Sequence, residues 1–118
     1  MGVKFFCKNQ LILAISNSSF DSLHKRILHI IERDKIEIDE NVKIFLHKTD
    51  QDIYGDGLVG SDIGKYLKTK KDVLQFSVLA RQAIEEEQQT EYPYRQDVYE
   101  HLIDFCNELL KYAETLKE

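Results

Sequence analysis

The strongest constraint on the fold is the spacing of apolar residues in the last quarter of the chain. Six apolar side chains recur there at intervals of four and three residues: Val98, Leu102, Phe105, Leu109, Tyr112 and Leu116. These intervals place side chains on one face of a helix with about 3.6 residues per turn. The sequence therefore predicts a long amphipathic helix from about Pro93 to Leu116, with this stripe buried.

Two more segments show the same helical spacing. The first is predicted to bury Phe20, Leu23, Ile27, Ile30 and Ile31, after a Ser-rich cluster that suits a helix start. The second is predicted to bury Val73, Phe76, Ala80, Ala83 and Ile84. On the first of these helices we expect His24 and Lys25 to face solvent.

Other segments alternate with a period of two, which is typical of strands. Val3–Cys7 and Leu11–Ile15 flank a polar turn and predict a hairpin, and alternation over residues 35–48 predicts one or two further strands. A chain of 118 residues suits one domain, here residues 1–118. The predicted class is therefore α+β, with a small, mostly antiparallel sheet packed against three main helices.

Composition and motifs favour no catalytic or metal chemistry. Residues 50–64 hold four of the five glycines, but they lack the later ligands of an EF-hand and do not open a long helix after a strand. No two histidines stand four residues apart, and Cys7 and Cys106 lie in apolar runs as reduced core residues would. We therefore expect no catalytic residue, no cofactor and no bound metal.

Location and ligand class follow from similar arguments. No apolar run is long enough for a membrane span, and the first residues lack the apolar core of a signal peptide, so a cytoplasmic protein is expected. The net charge of −5 argues against nucleic acid as a ligand, because phosphate binding requires Lys and Arg.

Negative charge is concentrated between Glu85 and Glu108. That stretch has eight carboxylates and one cation, Arg95, for a net charge of −7, whereas the remainder of the chain sums to +2. Such a field attracts a basic partner, and tyrosines among the acids can serve as anchors. The predicted partner-binding residues are Glu85, Glu86, Glu87, Glu91, Tyr92, Tyr94, Asp97, Glu100 and Asp104, with Tyr54 and Asp56 of the glycine-rich loop as a second contact.

The chain resembles immunity proteins of bacterial polymorphic toxins. The similarity lies in the small acidic domain, the Met-Gly-Val-Lys-Phe opening, the Ser18-Ser19-Phe20 helix entry and the Asp72-Val-Leu-x-Phe helix start. The resemblance implies a stoichiometric inhibitor, as in contact-dependent inhibition, that binds and neutralises a cognate toxin, either a nuclease or another toxin with a basic surface. A small cytosolic adaptor or regulatory domain that binds a basic protein is the alternative.

Overall fold

The structure describes the side chains of residues 18–47 and 63–116, and most of these residues are helical. In this computed structural model the backbone is also described over residues 2–7, 10–17 and 59–62. The helices are α1 (Asn17–Asp34), α2 (residues 40–47), α3 (Ile63–Tyr66), α4 (Lys70–Gln88) and α5 (Gln96–Glu114).

Three short strands lie outside that helical part. They are β1 (Gly2–Cys7), β2 (Gln10–Ser16) and β3 (Val59–Asp62), in the sheet order β2-β1-β3. Strand β1 pairs antiparallel with β2, with an irregularity between Phe5 and Phe6, and parallel with β3. The sheet therefore contains one antiparallel and one parallel pair.

The predicted α+β class is wrong. Over residues 18–47 and 63–116 the structure has five helices, 80% of the residues are helical, and there is no strand. The packed core of this part forms between helices, so the class that the structure supports is all-α. The described part of the protein is therefore not the predicted arrangement, in which a mostly antiparallel sheet packs against three main helices.

The strands predicted over residues 35–48 account for much of this error. Residues 36–39 have no regular structure, and residues 40–47 form helix α2. Val42, Phe45 and Leu46 are buried, whereas Ile44 is 41% exposed. Burial at intervals of three and four is the helical pattern, which here prevails over the alternation of Val42, Ile44 and Leu46.

The core joins apolar faces of all five helices. Aromatic rings run through its centre: Phe45 of α2 meets Phe76 of α4 edge-on at 5.0 Å, and Phe76 meets Phe105 of α5 at 6.4 Å. Helix α4 packs against both α1 and α5, so it is the central element of the helical part. The predicted stripe of α5 is confirmed at Leu102, Phe105 and Leu109, which are at most 1% exposed.

His24 does not face solvent as expected. It is 4% exposed, its ring stacks on Phe20, and its Nε2 lies 3.0 Å from the backbone oxygen of Leu46. This contact ties α1 to α2. No helix in the described residues is long and apolar enough to cross a bilayer.

Candidate functional site

Two carboxylates of the acidic stretch form ion pairs between helices. Glu85, Glu86 and Glu87 lie in the last turn of helix α4, where the helix dipole already concentrates negative charge. Arg26 of α1 donates to Glu87 from Nε and Nη2 at 3.1 and 2.9 Å. Arg33 of α1 donates to both oxygens of Glu86 at 2.9 and 2.8 Å. The two arginines therefore offset this charge and join α1 to α4.

The ion pair with Arg33 acts strongly on Glu86. Its hydrogen bonds lower the pKa of Glu86 from 4.5 to about 2. The same guanidinium also donates to Asp34 and lowers the pKa of that carboxyl. Glu85, in turn, accepts a hydrogen bond of 2.7 Å from the Tyr99 hydroxyl, which raises the pKa of Tyr99. These contacts give the acids of α4 structural roles.

The tyrosines at the corner between α4 and α5 differ in exposure. Tyr92 is 80% exposed, with its ring free to contact a partner. Tyr94 packs against the core, its backbone N–H donates to the Gln88 side chain at 2.8 Å, and burial raises the pKa of its phenol. Of the two predicted anchors, Tyr92 is the accessible one.

The remaining predicted acids form an exposed ridge. Asp97, Glu100 and Asp104 are all exposed on α5 at intervals of three and four, which places them on one helix face. Glu91, also exposed, lies in the connection before α5. We call Glu91, Asp97, Glu100 and Asp104 the acidic ridge.

Pairing within the ridge is sparse. Arg95 donates to Asp97 at 2.7 Å and lowers the pKa of that carboxyl. Both side chains of this pair are more than two thirds exposed, so solvent screens it. Among the described residues, no Lys or Arg forms an ion pair with Glu91, Glu100 or Asp104. Further along α5, Glu108 pairs with Lys111 at 3.1 Å.

Sequence reasoning did not identify Arg26 and Arg33 as partners of the acidic stretch. They stand seven residues apart on the polar face of α1. This spacing places two side chains on one face of a helix, two turns apart, and it is the feature of the sequence that could have indicated a shared role. Tyr54 and Asp56, the second predicted contact, lie outside the described residues.

The structure offers little for covalent or metal chemistry in its described part. Cys106 is buried, and burial raises the pKa of its thiol to about 11, so the reactive thiolate is disfavoured. Within the described residues, no three His, Cys, Asp or Glu side chains cluster closely enough to hold a metal ion.

Comparison with known proteins adds no further assignment. No family model matches the chain, and neither the curated proteins nor the solved structures contain a match.

Proposed function

We propose that this domain is a cytoplasmic immunity protein that binds a bacterial toxin stoichiometrically and has no catalytic activity of its own. Its binding surface is the acidic ridge with Tyr92, and the matching toxin surface is basic. The resemblance in sequence suggests the role, and the surface described above supports the mode of binding.

The observation that carries the proposal is the difference between the two halves of the acidic stretch. Glu86 and Glu87 form ion pairs with arginines of α1, but within the described residues no Lys or Arg forms an ion pair with Glu91, Glu100 or Asp104. Stabilisation of helix α5 does not explain why all of these exposed acids are present. Acids favour the N-terminal turn of a helix, as Asp97 does in α5, but Asp104 lies near the helix middle.

Tyr92 supplies what charge alone lacks. Exposed charges mainly accelerate association, whereas a desolvated aromatic ring at the centre of an interface slows dissociation. Tyr92 lies next to Glu91 and just before α5, so a partner that covers its ring also meets the start of the ridge. An inhibitor needs both a rapid encounter and a long-lived complex, and this surface combines the two features.

The test is protection of cells. The candidate toxin is the product of the gene next to the one that encodes this chain. It is expressed in a bacterial host with and without this chain, and surviving cells are counted. We expect the chain to restore growth, and the variant with Glu91, Asp97, Glu100 and Asp104 all changed to Lys to lose that protection.

A matched control has the same change in total charge. Glu32, Glu37, Glu40 and Glu114 are exposed acids that are not part of the ridge, with Glu114 ten residues beyond Asp104 on α5, and their replacement by Lys is expected to preserve protection. If the neighbouring product is harmless yet binds the ridge, the chain is instead an adaptor for a basic protein. If both charge variants protect fully, the ridge is not the toxin-binding surface.

A further inference from the structure

We draw no further inference here: the strongest candidate, the open apolar groove of about 710 Å³ along α4 around Val78, carries none, because Lys71 at its edge is already paired with Asp39 and nothing in the structure shows what covers it.

Discussion

Phe105 is the residue on which the packing of α5 depends most. Its ring is 1% exposed and meets Phe76 edge-on, which links α5 to α4 and, through Phe45, to α2. We expect Phe105→Ala to lower the free energy of unfolding by about 3–5 kcal/mol, because the cavity cannot be refilled by its neighbours. Urea denaturation measures the change, and Leu110→Ala, at a partly exposed position of the same helix, is the control. A loss below about 1 kcal/mol at Phe105 would show that the core collapses around the gap.

Glu86 makes the stability of the α1–α4 contact depend on pH. Its folded pKa of about 2 lies below the ordinary 4.5, because Arg33 hydrogen-bonds the ionised carboxylate. A depressed pKa stabilises the folded state above the unfolded value, and that stabilisation is lost as the pH falls from 4.5 towards 2. We expect Glu86→Gln to be less stable than wild type near neutral pH, with the difference closing over this window.

Denaturant unfolding at a series of pH values gives the curve for each protein. Glu91→Gln, at an exposed acid outside the arginine network, is the control and should follow wild type throughout. A constant difference between wild type and Glu86→Gln down to pH 2 would contradict the assignment, since the charge on Glu86 would then not be its cause.

At the scale of the elements, the end of α1 contains a conformational cost that a substitution can remove. Lys35 has a φ of 51°, a left-handed conformation that glycine adopts more readily than lysine. Lys35→Gly is therefore expected to stabilise the protein by about 0.5–1 kcal/mol, despite the greater entropy of glycine in the unfolded chain.

Replacement of a lysine by glycine within a helix should instead lower the stability of the protein. Lys43 is exposed within α2, where glycine costs about 1 kcal/mol relative to good helix formers. Thermal and urea unfolding of Lys35→Gly and Lys43→Gly therefore form a matched pair. Destabilisation by both would mean that the Lys35 side chain makes a contact worth more than the backbone strain.

The elements also show how far sequence periodicity can predict this fold. The long stripe of α5 and the spacing within α1 and α4 predict helices correctly, since many residues repeat the same interval. Residues 42–46 satisfy both periods in a short segment, because Val42, Ile44 and Leu46 alternate while Val42, Phe45 and Leu46 share a helical face. Whether such a segment forms a helix or a strand depends on its tertiary packing, here onto Phe76, and a local sequence pattern does not contain that information.

At the scale of the whole molecule, the acidic stretch shows the same limit. Its total charge follows from the sequence, but its division into a paired and an exposed half depends on contacts across the fold. Arg26 and Glu87 are 61 residues apart in the chain, and Arg33 and Glu86 are 53 apart. The spacing of the two arginines is visible in the sequence, but no local pattern identifies the distant acids with which they pair. The surface predicted from the sequence is therefore broader than the one that the structure leaves exposed.

The exposed half gives a kinetic prediction for the proposed complex with the neighbouring gene's product. Charge on the acidic ridge should accelerate the encounter, because attraction between opposite surfaces acts before contact, and salt should screen it. With Glu91, Asp97, Glu100 and Asp104 changed to Lys, we expect association to slow at least tenfold at low salt. The dependence of the association rate on salt should then flatten or reverse.

Tyr92→Ala should act on the other rate constant of the same complex. Loss of an anchor ring mainly accelerates dissociation, since the ring contributes only after the surfaces have met. Tyr92 is 80% exposed in the isolated chain, so its removal should leave the urea midpoint unchanged, whereas Tyr94→Ala also removes packing against the core.

Surface plasmon resonance at two salt concentrations separates the effect on association from the effect on dissociation. The variant in which Glu32, Glu37, Glu40 and Glu114 are changed to Lys is the charge-matched control. If that control slows association as much as the ridge variant, overall charge rather than the ridge directs the encounter. An unchanged dissociation rate in Tyr92→Ala would place the anchor of the complex elsewhere.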